Sequence, residues 1–244
     1  MRVAAIYDIH GNLPALEAVL EEIHDTGVDQ IVVGGDIVPG PMPRECISVL
    51  RALSVPVQYL RGNGDRDIVD AKRGEELTRV PQAFHQVMRW VADQLPSERI
   101  EELSAWPLTV GLEIPELGEV LFCHATPRDD NEIFTRATPE DRLRPVFAAT
   151  GAAVVICGHT HMQFDRSVGD VRVVNAGSVG MPFGEPGAYW SLLEPRGIDL
   201  RRTEYDLTAA ARRIEETDYP MDFAIERPAS ESEMLELFEA AALQ

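Results

Sequence analysis

The stretch RVAAIYDIHGNLPALEAVLEEI, residues 2–23, decides how the chain is to be read. It opens with a short apolar run containing β-branched residues, the pattern of a buried strand. From Leu16 onward, Val19, Leu20 and Ile23 follow the i, i+3, i+4, i+7 spacing of an amphipathic helix. Gly27 closes that helix, and QIVVGG (30–35) follows as a second buried strand. PRECISVLRAL (43–53) reads as another helix with Cys46, Ile47, Leu50 and Leu53 inward, and VPVQYL (55–60) as a third strand. Such alternation predicts parallel βαβ units, because parallel strands need a crossover between them.

Further along, the pattern changes. Residues 67–106 are polar, with one clear helix in AFHQVMRWVADQL (83–95) and a shorter one in SERIEELSAW (97–106). Two hairpins follow from their turn residues: PLTVGLEI with GEVLFCH around PELG (115–118), and QFDRSV with VRVVNAG around Gly169-Asp170. Between them lie a helix in RATPEDRLRPVF, expected to start with Thr138 as N-cap and Pro139 first, and the buried strand AAVVICG. YWSLLEP and IDLRRTEY read as strands. The chain ends in helices at LTAAARRIEE and SESEMLELFEAAALQ, the latter with a Ser230–Glu233 capping box and an apolar face of Met234, Leu237, Phe238 and Ala241. That face is expected to dock on the protein's own core or on a partner subunit. The reading is one domain over 1–244, with a variable helical segment at about 67–106 and a C-terminal helical extension at about 206–244.

Composition narrows the function. A chain with 45% hydrophobic and 26% charged residues is an ordinary globular protein. Its formal charge of -19 argues against long nucleic acids and anionic membranes as partners. No stretch is long enough for a membrane span. The three cysteines form no C-x-x-C pair, and no signal-peptide pattern is visible, so reduced thiols and a cytoplasmic location are expected. Cys123 and Cys157 sit in apolar runs, as small core residues do.

The chemistry gathers at strand ends. Asp8 and His10 follow the first strand, Asp36 the second and Asn63 the third; His124 follows VLFC, and His159 and His161 follow VVIC. Loops beyond the carboxyl ends of strands converge on one crevice in an α/β sheet. An Asp or Asn after a strand is by itself a turn former or a cap. Asn63-Gly64 in particular reads as a tight reversal after VPVQYL. Yet four of the six histidines fall at these positions beside carboxylates. Nitrogen and oxygen donors without thiolate suit Mn²⁺, Fe or Zn²⁺. The alternate residues of D-x-H and H-x-H point to one side if the local backbone is extended.

The order D-x-H, G-D, G-N-x-D, H, G-H-x-H resembles the calcineurin-like metallophosphoesterase superfamily. The segments D-I-H-G-N-L-P-A-L, N-G-D, H-A-T-P-R-D and N-A-G-S-V-G are most similar to its small bacterial and archaeal phosphodiesterase branch. The resemblance implies an α/β fold, a four-layer αββα sandwich with two mixed β-sheets flanked by helices. It also implies two divalent metal ions, Mn first, with Fe, Zn or Ni as alternatives. By position, Asp8, His10, Asp36 and His161 would hold one metal, Asp36 would bridge, and Asn63, His124 and His159 would complete the second site. Asp36, Asn63 and His124 are the implied catalytic residues. The implied reaction is in-line attack on phosphorus by a hydroxide bridging the metals.

The expected substrate is a small soluble phosphate ester. Diesters are preferred, partly because Gly64 would leave room at the site. The alternatives are a phosphomonoesterase acting on a nucleotide or small phosphate, and a non-catalytic metal-binding scaffold that recruits a protein partner. Homo-oligomerisation is a further expectation. Many relatives carry a leaving-group histidine where this chain has Gly64. Asp65 and His85 are then the side chains considered for proton donation, Asp65 with a turn-forming role or a supporting role behind the site as its alternatives. Arg66 and Arg128 are candidate phosphate clamps through charge-assisted bonds, and Asn12 is a third substrate-binding candidate. NAGSVGMP (175–182) lacks the G-x-S-x-G elbow, so Ser178 is not read as a nucleophile. No G-x-G-x-x-G follows a strand, and no G-K-[ST] occurs.

Overall fold

The computed structural model describes residues 1–243. Ten strands form two five-stranded sheets. The first has the order β10-β9-β1-β2-β3 and the second β4-β5-β6-β8-β7. In the first sheet, β1 (Val3–Ile6), β2 (Gln30–Val33) and β3 (Val57–Tyr59) run parallel, and the antiparallel hairpin of β9 (Ala188–Glu194) and β10 (Gly197–Thr203) extends it beyond β1. In the second, β5 (Gly118–Cys123), β6 (Val154–Cys157) and β8 (Val171–Asn175) run parallel, with β4 (Thr109–Ile114) and β7 (Phe164–Val168) antiparallel at the edges. Both sheets are therefore mixed, and both expected hairpins form.

The period of the strand makes the layers. Along β1, Val3, Ala5 and Tyr7 pack between the sheets with Phe122, Ile156 and Val174, whereas Ala4 and Ile6 face the helices. Successive side chains of a strand point to opposite faces, so a strand apolar on both sides must be covered on both. The outer cover of the first sheet includes α1 (Leu13–Thr26), which buries Leu16, Val19, Leu20 and Ile23 as its spacing predicts, and α2 (Pro43–Arg51). Gly27 closes α1 in the left-handed conformation at φ 70°. The second sheet is covered by α6 (Glu140–Phe147), through Leu143, Val146 and Phe147. The three cysteines are buried and unbonded to one another.

Between β3 and β4 lie α3 (Asn63–Arg73), α4 (His85–Gln94) and α5 (Ser97–Ala105); after β10 come α7 (Leu207–Glu215) and α8 (Glu231–Ala240). Three local expectations are corrected. RGNGDRD is not a tight reversal: Gly62 caps a helix that begins at Asn63, because the Asp65 carboxylate accepts the Gly62 N–H at 3.2 Å from the third helical position. Thr138 does not cap α6; its hydroxyl serves Thr135 and Glu239 instead, and the helix starts after Pro139. Ser230 precedes α8 without a side-chain cap, its hydroxyl meeting that of Ser232. Gln244, the last residue of that expected helical segment, lies outside the described residues. Among the described residues no helix is long and apolar enough to cross a membrane.

Candidate metal centre

The loops after β1, β2, β3, β5 and β6 meet at one end of the two sheets. Their backbone is not extended there. Asp8, His10, Asp36, His159 and His161 have φ of 52°, 48°, 50°, 67° and 57°, five of the seven described non-glycine residues with positive φ. For such residues this conformation costs about 1–2 kcal/mol each, so the surroundings must hold it. Backbone bonds do so: Asp8 N–H donates to Gly35 O at 3.1 Å, His10 N–H to Asp36 O at 2.9 Å, and Gly180 N–H to Asp8 O at 2.9 Å. D-x-H and H-x-H therefore converge through left-handed turns rather than through the alternation of an extended chain. Gly62 allows the loops after β2 and β3 to touch; a Cβ there would lie 2.1 Å from Asp36 Oδ1.

Three histidines have their tautomers set by the backbone. The Nδ1 atoms of His10, His124 and His161 lie 3.0, 2.9 and 2.7 Å from the carbonyls of Pro39, Gly34 and Met181. A carbonyl only accepts, so each Nδ1 carries the proton and a neutral ring leaves Nε2 bare. Those bare nitrogens face one another and the carboxylates. His161 Nε2 is 3.2 Å from Asp8 Oδ1 and 3.1 Å from His10 Nε2; His124 Nε2 is 3.1 Å from Asn63 Oδ1. Asp36 presents Oδ2 to His10 Nε2 at 3.7 Å and Oδ1 to His124 Nε2 at 3.6 Å. Asp8 Oδ2 accepts the His159 N–H at 2.8 Å, while Asp8 Oδ1 and His159 Nε2 are buried without a hydrogen-bond partner. Acceptors converging on acceptors in a buried site call for a cation between them.

The electrostatics agree. Burial, then the charge of His124, presses His159 down to about 4, and burial with His161 lowers His10, so both rings are neutral donors at neutral pH. Burial would also lower His124 and His161, but the Asp36 and Asp8 carboxylates facing them outweigh it and raise both. Burial alone would raise Asp8, yet His161 and His124 hold it well below the usual carboxylate range. Positive charge is thus wanted here, whether from protons or from metal. Among the described residues, ligating atoms fall into two groups, Asp8/His10/His161 and Asp8/Asp36/His124, each within 4.8 Å. They share Asp8, and Asp36 spans the same two sides with one oxygen toward each.

The structure thus brings all seven expected ligands together. It sends the other candidates elsewhere. Asn12 is buried and fully used: Oδ1 caps α1 at Ala15 N–H (3.2 Å), and Nδ2 donates to Gly180 O (3.0 Å) and Tyr205 OH (3.3 Å). No polar atom of Asn12 remains for substrate. Arg66 is paired with Asp130 and Asp67, and Arg128 with Glu132; both line a neighbouring cavity of about 340 Å³ in which carboxylates match the arginines. Asp65 is fully buried, and its oxygens accept from Ile37 N–H (2.9 Å), Val38 N–H (3.2 Å) and Gly62 N–H. Burial and the Asp36 charge push it up to about 7, against those backbone bonds. It positions the loop after β2 and does not face the cavity at the ligands. His85 spends Nε2 on Val80 O at 2.8 Å.

Gly64 is corrected most sharply. Its missing side chain does not open the site: a Cβ there would lie 2.5 Å from Pro39 Cγ and 3.0 Å from both Asp36 oxygens. Its N–H donates to Asp36 Oδ1 at 2.7 Å. Gly64→His is expected to lose about 1–3 kcal/mol of stability by overpacking a ring that cannot rotate away, and to weaken metal binding through Asp36. Thermal unfolding with and without Mn²⁺ checks this; a variant as stable as the parent would show that the 39–41 loop yields.

Sequence reasoning missed the supports. The carbonyls of Gly34, Pro39 and Met181 carry no residue signature. Asn175 and Ser178, which hold the loop after β6 and the Asp8 carbonyl at 2.6 and 2.8 Å, were visible only as part of a glycine-rich turn. The cluster opens into a cavity of about 380 Å³ reached by His10, Asp36, Asn63 and His159.

Residues 1–195 match the family model described as the calcineurin-like phosphoesterase superfamily domain. An uncharacterized protein of Methanocaldococcus jannaschii is 29% identical over 237 residues, covering 89% of this chain and 93% of that one. The structure of a metallophosphoesterase from Sphaerobacter thermophilus is similar with a TM-score of 0.69 at 26% identity, covering 99% and 98% of the two chains. A hypothetical protein from Pyrococcus horikoshii shares the fold at a TM-score of 0.80, 21% identity and 97% coverage of both chains.

Proposed function

Because the chain belongs to the calcineurin-like phosphoesterase superfamily, we propose that it is a metal-dependent phosphoesterase for a small phosphate ester, with diesters preferred. The observation that carries this reading is the convergence of Asp8 Oδ1 and His159 Nε2, buried without a partner, with the three Nε2 atoms whose ring Nδ1 atoms face carbonyls. Asp8, His10, Asp36 and His161 would hold one cation, and Asn63, His124 and His159 the second, with Asp36 between them. When bound, two divalent cations acidify water and stabilise charge on phosphoryl oxygens. Mn²⁺ is the metal proposed first, on the family resemblance; the carboxylate and amide oxygens suit it, and the imidazoles admit Fe, Zn or Ni as well.

The chain's own residues supply the rest. The carbonyls of Gly34, Pro39 and Met181 orient the ligand rings, as outer partners of metal-binding histidines do. The Gly64 N–H fixes one Asp36 oxygen. Neither Asp65 nor His85 is free to protonate a leaving group, so esters of acidic alcohols are the better substrates. The diester preference now rests on the branch resemblance and on charge. Beyond the ligands the cavity carries Asp67, Arg79 and Asp222, and Arg79 lies 3.7 Å from Asp129, so a dianionic monoester gains little there. Convergence of all seven ligands favours an enzyme over a partner-recruiting scaffold.

Chelation followed by Mn²⁺ return, read with bis-p-nitrophenyl phosphate, tests the proposal. Turnover is expected to vanish with chelator and to return with metal; turnover that ignores metal would sink it. Metal must also displace protons from His124 and His161, which the carboxylates raise. Mn²⁺ affinity is therefore expected to fall as pH is lowered, starting above the pH at which an ordinary imidazole titrates, measured by calorimetry in two buffers of different ionisation heat.

A further inference from the structure

The cavity over the ligands has a second wall, and that wall is apolar. Its aromatic side chains are Phe84, at the turn into α4, and Tyr219, Phe223 and Phe238 from the C-terminal region. Met88, Met181 and Met221 fill between them. Only four large hydrophobic residues are exposed among the described ones, and two of these, Phe84 (42%) and Met181 (38%), line this cavity. Exposed apolar side chains gathered in one concave site, next to convergent polar groups, are the mark of a ligand pocket rather than of scattered surface.

The wall is built, not incidental. Residues 219–223 belong to a strap without regular structure between α7 and α8, beyond the residues 1–195 matched by the family model. The strap is anchored by Ile225, buried in the core, and by the Gly184 N–H donating to Ala229 O at 2.9 Å. Tyr219 meets Trp90 of α4 edge-on at 5.4 Å and Phe223 at 6.0 Å, joining the two helical regions over the ligands. Phe183 stacks on His161 at 5.3 Å and reaches Phe238 of α8 at 5.9 Å. Of the expected α8 stripe, Phe238 thus touches Phe183, but no residue of the helix is buried in the core and Leu237 remains 61% exposed.

Resting on the phosphoesterase reading, the geometry points to a substrate class: a phosphoester carrying an uncharged group of aromatic size, seated against Phe84, Met88, Phe223 and Phe238. Among the described residues the wall carries one guanidinium, Arg79, and no cluster of cations for a second phosphate. Arg79 lies 3.7 Å from Asp129, with both side chains exposed, while Asp222 and Asp67, the latter paired with Arg66, line the same space. A nucleoside polyphosphate would bring further negative charge to carboxylates. A neutral aryl or bulky alkyl group instead removes water from apolar surface on both sides, and flexible methionines adapt to its outline.

Calorimetry on the Mn²⁺-loaded full chain tests this with methylphosphonate, benzylphosphonate and phosphonoacetate, which offer one phosphonate head and differ in the appended group. Benzylphosphonate is expected to bind about 30–100-fold more tightly than methylphosphonate, and phosphonoacetate no better than methylphosphonate. Phe84→Ala and Phe223→Ala are each expected to shrink the benzyl advantage about tenfold while leaving methylphosphonate unchanged. Phe84 is exposed enough for its truncation to spare folding. Equal binding of the methyl and benzyl compounds, or tightest binding of the carboxylate, overturns the substrate class while leaving the phosphoesterase reading intact. Absence of binding by all three, together with no hydrolysis of any ester, removes both.

Discussion

Asp36→Asn is expected to lower kcat/KM for a model phosphodiester by more than about 100-fold while the far-UV circular dichroism stays that of the parent. Groups that merely orient a metal ligand cost about 10–100-fold when removed, and Asp36 lies one step closer. Its Oδ2 faces His10 and its Oδ1 faces His124, at 3.7 and 3.6 Å, so a single carboxylate serves both sides of the cluster. Asn keeps the shape and can still accept the Gly64 N–H, but it offers one oxygen, no charge and an amide that repels a cation. Metal stoichiometry should fall with the rate, measured by elemental analysis after gel filtration. Full turnover in this variant would refute the proposed role of Asp36.

Asp65→Ala is expected to be the most destabilising single change near the site, by about 3 kcal/mol or more. The Asp65 carboxylate accepts three backbone N–H groups, from Ile37, Val38 and Gly62. Truncation leaves all three buried without partners, at about 1–3 kcal/mol for each unsatisfied group. The loop they belong to carries Asp36, so metal affinity should drop with stability even though Asp65 makes no contact in the cavity. Asp65→Asn keeps one accepting oxygen and should fall between parent and Ala. Urea unfolding in the presence of chelator separates the stability loss from lost metal. An Ala variant as stable as the parent would mean that the loop re-forms its bonds elsewhere.

The two changes differ in how visible they were. Asp36 announces itself in the sequence, because an Asp directly after QIVVGG is placed by the strand that precedes it. Asp65 shows only as a turn or supporting residue, or as a candidate proton donor. Its three bonds depend on the loop after β2 and the start of α3 touching, an approach that Gly62 permits and no spacing records. Asn12, Arg66 and Arg128, the candidate substrate ligands, are engaged elsewhere for a related reason. Each has suitable chemistry, but neighbours distant in sequence claim its polar atoms first: Gly180 and Tyr205 for Asn12, and Asp130 for Arg66. Even Glu132, which takes Arg128, lies on the same face only because the loop turns there.

The sequence by itself determined the layered α/β fold and singled out the seven candidate ligands, because strand and helix periods, and the residues just past a strand, are local properties of the chain. The fold's two sheets then bring those loop ends to one place. Only the tertiary structure decided the rest: the left-handed turns at the ligands, the carbonyls that set three histidine tautomers, and the apolar wall where residues 84–88 meet a strap and helix from 219–238. Gly64 shows the division most plainly. In sequence it was an absence that promised room, and in space Pro39, 25 positions earlier, already fills it. Contacts between loops are set by packing after the sheets have formed, and no local pattern carries them.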